Sequence, residues 1–148
     1  CADSILVNKL TFAKKASNND AGLWEQMAVC RFFNEYDYFD YTYSLASYYR
    51  KKCELMLDNL KFELPTSISF TEPEGGFFIL ATLPKGYDVS RFCKFAADRK
   101  LGISSITDYL TNEKTPTTSF RISFSDVSED DIIKGVKILS NAYSAFTF

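Results

Sequence analysis

The 148-residue chain contains no histidine. Without an imidazole, a Ser-His-Asp triad, a Cys-His dyad and a histidine-ligated zinc site cannot form within this chain. The four cysteines, Cys1, Cys30, Cys53 and Cys93, lie far apart and include no Cys-x-x-Cys pair, so we expect no thiolate zinc site and no bound metal. This cysteine usage is typical of reduced, mostly buried thiols in a cytoplasmic protein.

The chain also lacks an excess of positive charge, a long apolar run and a targeting signal. Its net charge is -2, which favours neither nucleic acid nor an anionic membrane as a partner. No apolar run approaches the length of a membrane-spanning helix. The first residues, CADSILVNKL, have neither the basic start nor the apolar core of a signal peptide, and they lack an initiator Met. We therefore expect a fragment or a processed chain.

What remains is the composition of a folded domain, with 46% hydrophobic and 24% charged residues. In the first half, a short strand is predicted at residues 5–7, a helix at 23–33 and a long helix at about 38–60. Apolar residues of the long helix recur at steps of three and four, as expected for one buried stripe. The stripe consists of Leu45, Tyr49, Cys53, Met56 and Leu60.

A basic trio, Arg50, Lys51 and Lys52, lies mostly off this stripe. It is either a nucleic-acid patch or a solvated helix face, and the acidic balance of the chain favours the solvated face.

The second half of the chain alternates between strand and helix patterns. Strands are predicted at 67–72, 77–83, 102–106 and 119–125, and the first two are expected to pair in an antiparallel manner. Helices are predicted at 88–100, with Asp88 as the N-cap, and at 128–146, with Ser128 as the N-cap. The predicted fold is α+β, a small sheet packed against helices on one side and preceded by a long connecting helix. We divide the chain into a helical segment, 1–62, and a small α+β domain, 63–148.

The stretch TEPEGGFFILATLPKG, residues 71–86, contains a glycine pair that could suggest a phosphate-binding loop. Such loops precede a helix, because the amides of a helix N-terminus face the anion. Here an apolar strand follows Gly75 and Gly76, so the pattern predicts a turn.

The most informative polar residue is Arg121, within SFRISFS. Strand alternation places Phe120, Ile122 and Phe124 in the core and Arg121 on the opposite face, among serines. A guanidinium with small neighbours can bind a carboxylate through two parallel hydrogen bonds. From the residue pattern alone, the favoured interpretation is a solvent-facing arginine that protects a strand edge.

Several motifs, in order, resemble the fold-type I pyridoxal-phosphate aminotransferases of class I/II, in particular the 2-aminoadipate/kynurenine aminotransferase subgroup. YYRKKCELMLDNL is similar to their long connecting helix, and PEGGFFILATLPKGYD to their Pro-x-Gly-Gly strand followed by Leu-Pro-x-Gly. LGISSI resembles the short strand that follows, and FRISFSDVSEDDIIKGVKIL resembles their Arg-Leu-Ser-Phe strand and closing helix. GLWEQMAV resembles the helix after the cofactor lysine. One departure is SSITDYLTNEK, which lacks the usual Pro-Gly turn beside the substrate.

The resemblance implies that this is the C-terminal, small-domain part of an enzyme that transfers an amino group between an amino acid and a 2-oxo acid. By that resemblance Arg121 binds the substrate carboxylate. The intact enzyme would use pyridoxal 5'-phosphate and form a homodimer. No segment here matches the cofactor-binding region, so no catalytic or cofactor-binding residue is assigned, and the chain alone is expected to be inactive and free of cofactor.

Two other interpretations of the sequence stay open. The first is a non-enzymatic α+β module that binds small carboxylates or contacts another subunit. The second is an RNA-binding sheet, which would need exposed aromatic residues where the alternation places Phe120 and Phe124 in the core. The sequence identifies neither the amino acid nor the 2-oxo acid.

Overall fold

The structure is a computed structural model that describes residues 2–17, 22–110 and 117–146, apart from the side chain of residue 108. The chain divides into two compact units, Cys1–Ser44 and Leu45–Phe148. The domain boundary at residue 62 stays a prediction. The polar sequence TNEKTPTT predicts a loop at 111–118, and this stretch lies mostly outside the described residues.

The first unit is helical. It contains α1 (Ser4–Ser17), α2 (Leu23–Glu35) and the start of α3 (Tyr38–Glu63). The strand predicted at residues 5–7 is wrong, because these residues belong to α1. Neither α1 nor α2 has a buried residue, and Trp24 is 79% exposed. The three apolar residues at 5–7 therefore do not form the buried face of a strand.

The second unit contains the rest of α3 and a four-stranded sheet. The strands are β1 (Ser69–Phe70), β2 (Phe78–Thr82), β3 (Ser104–Ser105) and β4 (Ser119–Ser123), in the order β1-β2-β4-β3. All neighbouring strands are antiparallel, which confirms the pairing expected for β1 and β2. The strand predicted at 67–72 is shortened to the two residues of β1 at the sheet edge.

Two helices of the second unit begin at the predicted caps. They are α4 (Val89–Ala97) and α5 (Glu129–Ala145). The Asp88 side chain accepts a hydrogen bond from the amide of Arg91, and the Ser128 side chain accepts one from the amide of Asp131. These bonds satisfy amides that have no partner within the helix.

The core lies on one face of the sheet. Ile79 and Ala81 of β2 and Phe120 and Ile122 of β4 form a single buried cluster with residues of α3, α4 and α5. The rings of Phe92 on α4 and Phe120 lie 5.6 Å apart. The predicted α+β fold, with a small sheet packed against helices, is thereby confirmed.

The long helix is confirmed, but two details of its surface differ from expectation. Cys53, Met56 and Leu60 are buried as predicted, whereas Leu45 is 38% exposed. Lys52, which was assigned to a solvated face, is only 6% exposed.

The glycine pair lies in the bend before β2, where Gly76 has a φ of +84°. Glycine adopts this left-handed conformation without steric cost. The bend leads directly into the strand that pairs with β4, which agrees with the predicted turn.

Candidate functional site

Arg121 lies on β4 with its side chain on the face opposite the core. Its register partners are Leu80 on β2 and Ser104 on β3. β4 is therefore an internal strand at this position, so protection of a sheet edge cannot account for Arg121. The serines predicted to flank it, Ser119 and Ser123, are its neighbours on the same face.

Two aromatic side chains contact the guanidinium group. The Cζ atom of Arg121 lies 4.2 Å from the ring centroid of Tyr109 and 4.5 Å from that of Phe78. Arg121 Nη2 also donates a hydrogen bond of 2.5 Å to the Tyr109 hydroxyl. We call these three residues the Arg121 cluster.

The two rings reach Arg121 from different elements. Phe78 is the first residue of β2 and projects from the same face of the sheet as Arg121. Tyr109 ends the 3₁₀ helix Thr107–Tyr109, which follows β3. Phe78 is 42% exposed and Tyr109 59%, so the cluster borders solvent. The attraction between a cation and an aromatic ring at such exposed positions contributes about 0.5–1 kcal/mol.

The hydroxyl groups near Arg121 are bonded to one another. Thr82 Oγ1 lies 2.8 Å from Ser119 Oγ, and Ser123 Oγ lies 3.1 Å from Ser125 Oγ. Among the described residues, no acidic side chain forms an ion pair with Arg121. The guanidinium of Arg121 therefore has no carboxylate partner among the described residues.

A second basic residue, Lys52 on α3, contacts the turn that follows β4. Its Nζ donates a 3.0 Å hydrogen bond to the carbonyl oxygen of Ser125 and lies 4.9 Å from the Tyr48 ring centroid. Sequence reasoning missed this contact, because Lys52 belongs to a run of basic residues and its acceptor is 73 positions away. The bond fixes the chain four residues beyond Arg121.

Of the three described thiols, Cys53 is buried, Cys93 is partly buried and Cys30 is exposed, so the expectation of mostly buried thiols is met only in part. Burial raises the pKa of the Cys93 thiol to about 11, which keeps it protonated, and burial also raises the pKa of Cys53. Within the described ranges, no three His, Cys, Asp or Glu side chains are grouped so that they could hold a metal ion. No helix in the same ranges is long and apolar enough to cross a membrane.

Comparison with known proteins shows that the chain is similar to part of several aminotransferases. The chain is 26% identical over 140 residues to aromatic-amino-acid aminotransferase 1 of Thermococcus litoralis, a match that covers 94% of this chain and 33% of that protein. The crystal structure of α-aminoadipate aminotransferase from Thermus thermophilus superposes with a TM-score of 0.85 at 24% identity, over 97% of this chain and 36% of that one. The chain has the fold of the C-terminal part of a fold-type I pyridoxal-phosphate aminotransferase.

The aminotransferase resemblance indicated by the motifs is thereby confirmed. The chain spans about a third of the length of the aminotransferases that it matches. No protein-family model matches it. A further match, 27% identical over 120 residues, is an uncharacterized HTH-type transcriptional regulator, YhdI of Bacillus subtilis, and it covers 80% of this chain and 25% of that protein. Sequence similarity to this chain therefore extends to a protein that is named a regulator.

The Arg121 cluster can contact an anion, but it has no group that could attach the cofactor that the aminotransferase fold implies. The cluster offers one cationic guanidinium fork, whose geometry matches a planar carboxylate. The two rings contact the guanidinium itself. It contains no lysine amine to which pyridoxal phosphate could be attached. The one buried lysine of the described residues, Lys52, donates its Nζ to a backbone carbonyl instead.

Proposed function

We propose that this chain is the substrate-carboxylate-binding part of an aminotransferase, and that Arg121 is the group that binds the carboxylate. The observation that carries the proposal is a guanidinium that contacts two rings and has no acidic partner among the described residues. The intact protein would transfer an amino group between an amino acid and a 2-oxo acid. Both substrates carry the carboxylate that Arg121 recognises.

In this proposal Arg121 contributes orientation. Two parallel N–H bonds to a carboxylate fix both the position and the plane of the substrate, and this presents its Cα–H bond in one direction. Binding that is equally strong in the ground state and the transition state lowers KM without raising kcat. Pyridoxal phosphate, when bound in such an enzyme, supplies the electron sink for the bond that breaks at Cα.

The same proposal extends to the activity, cofactor, oligomeric state and cellular location of the protein. It assigns cofactor attachment to residues outside this chain, so the 148-residue chain alone is inactive and carries no pyridoxal phosphate. The intact enzyme is a homodimer in the cytoplasm. These statements rest on the aminotransferase likeness and on the lack of a lysine in the Arg121 cluster.

The test is a substitution of Arg121 in the intact protein. Arg121→Lys keeps the charge and loses the planar fork, and Arg121→Ala loses both. Because a hydrogen bond to a charged group contributes about 1.5–3 kcal/mol, each variant is expected to raise KM for both substrates by roughly one to two orders of magnitude. Unchanged KM values in both variants would refute the role of Arg121.

Arg99 provides a matched control. Its guanidinium also stacks on an aromatic ring, with Cζ 3.5 Å from the Phe95 centroid, but it lies just beyond the end of α4 rather than on the sheet face. Arg99→Lys is expected to leave both KM values unchanged. A comparable rise in KM in Arg99→Lys would show that the rise in the Arg121 variants comes from a general disturbance of the structure and not from a lost carboxylate contact.

A second candidate function is the ligand-binding part of a transcriptional regulator. The match to the regulator YhdI favours it, and Arg121 would bind the same carboxylate there. Turnover separates the two candidates. An intact protein that binds an amino acid but does not transfer its amino group to a 2-oxo acid would support the regulator.

A further inference from the structure

Tyr109 makes two kinds of contact with Arg121. Its ring lies 4.2 Å from the guanidinium carbon, and its hydroxyl oxygen accepts a hydrogen bond of 2.5 Å from Nη2. A phenylalanine could supply the first contact but not the second. The hydroxyl group of Tyr109 therefore makes a hydrogen bond that stacking of the ring does not require.

The effect of this hydrogen bond follows from the geometry of the guanidinium group. Its five N–H bonds form two edges at which a carboxylate can bind through two parallel hydrogen bonds, Nε with Nη2 and Nη1 with Nη2. Each edge requires one of the two hydrogens on Nη2. When one of these N–H groups donates its hydrogen bond to the Tyr109 hydroxyl, only one edge of the guanidinium still has both of its N–H groups available for a carboxylate.

We propose that Tyr109 is a positioning residue that leaves Arg121 only one edge for a bidentate carboxylate and so fixes the direction from which the substrate approaches. This inference rests on the proposed carboxylate-binding role of Arg121. The ring of Phe78 supports the same arrangement, because it limits the rotation of the guanidinium plane.

Hydrogen bonds hold Tyr109 in place. Its amide donates to the Ile106 carbonyl at 2.9 Å, and the amide of Ile106 donates to the Ser119 carbonyl on β4 at 3.2 Å. The Ser105 hydroxyl lies 2.7 Å from the Thr107 hydroxyl and accepts from the Thr107 amide at 3.1 Å. The segment that carries Tyr109 is thus bonded to the strand that carries Arg121.

Tyr109 is also suited to a clean test. Its side chain is 59% exposed and does not belong to the buried core. Loss of its hydroxyl therefore changes recognition of the ligand without opening a cavity. Tyr109→Phe removes the hydroxyl and keeps the ring, whereas Tyr109→Leu removes both contacts.

The experiment measures KM and kcat of the intact protein with L-2-aminoadipate and L-phenylalanine as amino acids and 2-oxoglutarate as the 2-oxo acid. Where there is no turnover, it measures the dissociation constants of the same compounds. Tyr109→Phe removes the hydrogen bond that holds the guanidinium of Arg121 in one orientation, so the carboxylate must bind a less ordered partner. The variant is therefore expected to raise KM about three- to tenfold for every substrate and to leave kcat within about twofold. Tyr109→Leu is expected to raise KM further.

Tyr48→Phe is the matched control. Tyr48 also lies over a cation, the Nζ of Lys52, at 4.9 Å, but no hydrogen bond of its hydroxyl is formed among the described residues. This variant is expected to leave KM unchanged. A rise equal to that of Tyr109→Phe would overturn the inference.

Arg121→Lys, measured in the same series, separates this inference from the proposed function. If Arg121→Lys leaves KM unchanged, the proposed function fails, and the role of Tyr109 fails with it. If Arg121→Lys raises KM while Tyr109→Phe matches the wild type, only the role of Tyr109 is overturned.

A spectroscopic readout does not depend on activity. In the ¹H–¹⁵N spectrum of the 148-residue chain, the Nε–H signal of Arg121 is expected to carry a ring-current shift. Tyr109→Phe should keep this shift and Tyr109→Leu should reduce it. An Arg121 signal that is the same in all three chains would contradict the contact with Tyr109.

Discussion

Replacing Lys100 by glycine should stabilise the protein, although it removes a whole side chain. Lys100 follows α4 with a φ of +65°, the only positive φ of a non-glycine residue in the described parts of the chain. Its amide donates to the Ala97 carbonyl at 2.8 Å, and the amide of Leu101 donates to the Ala96 carbonyl at 3.0 Å. This is the hydrogen-bond pattern of a helix end at which glycine is the usual residue.

The expected gain is the difference between two effects. The left-handed conformation costs a side chain with a Cβ atom roughly 1–2 kcal/mol, and glycine avoids that cost. Glycine also gives the unfolded chain more backbone freedom, which offsets about 0.5–1 kcal/mol. Lys100→Gly should therefore raise the free energy of unfolding by about 0.5–1 kcal/mol.

Lys94→Gly is the matched control, because it makes the same chemical change at another exposed lysine of the same segment. Lys94 lies within α4 with helical geometry. There glycine is expected to lower the free energy of unfolding by about 1 kcal/mol. One substitution thus has opposite signs at two positions six residues apart, and the sign follows from φ.

Urea unfolding of the 148-residue chain, followed by far-UV circular dichroism, measures both changes. Fluorescence would be a poor probe, because the single tryptophan, Trp24, lies in the first unit and is 79% exposed. With a slope of about 1–3 kcal/mol per molar urea, Lys100→Gly should raise the midpoint by roughly 0.2–1 M. A midpoint that falls, as expected for Lys94→Gly, would refute the argument from φ.

Two further predictions use the same unfolding assay. Lys52→Met should lower the free energy of unfolding by about 1.5–3 kcal/mol, because the Ser125 carbonyl loses its charged donor. Lys51→Met, at the exposed neighbouring lysine, should stay within about 0.5 kcal/mol of the wild type. Equal effects of the two substitutions would contradict the buried contact of Lys52. Burial raises the pKa of the Cys93 thiol from 9.0 to about 11, so the folded chain retains a proton that the unfolded chain releases, and stability should fall as pH rises from about 9 to 11. Cys93→Ser should reduce this fall, and parallel pH profiles of the two proteins would argue against it.

The parts of the fold that the sequence predicted well are those in which local pattern and burial agree. β4 alternates strictly, and its apolar residues, Phe120 and Ile122, form the inner face of the sheet. The N-caps of α4 and α5 could be predicted because an Asp or Ser side chain bonds an amide only three residues away.

The prediction failed where no buried face supports the pattern. Residues 5–7 resemble a strand only because three apolar residues are adjacent, and in α1 all three are exposed. Leu45 continues the apolar stripe of α3 in sequence, yet the core cluster of the second unit begins at Cys53. Periodicity in sequence therefore predicted the helix itself but not the length of its buried face.

The candidate site was predictable for one residue and not for its partners. Alternation placed Arg121 opposite the core, but neither Phe78 nor Tyr109 carries a local signal that points to an arginine. Their contacts depend on strand register and on the short helix after β3, and both arise from tertiary structure.

The interpretation of Arg121 depends on which strand carries it. On an edge strand, an exposed arginine discourages pairing with another chain, and no ligand is needed to explain it. The order β1-β2-β4-β3 places Arg121 between two paired strands, and the cluster gives it aromatic contacts in place of an ion pair. An aromatic ring stabilises the cation but accepts none of the strong hydrogen bonds that a carboxylate accepts. The remaining N–H bonds of the guanidinium have no carboxylate acceptor among the described residues. In the function proposed above, a substrate carboxylate would accept them.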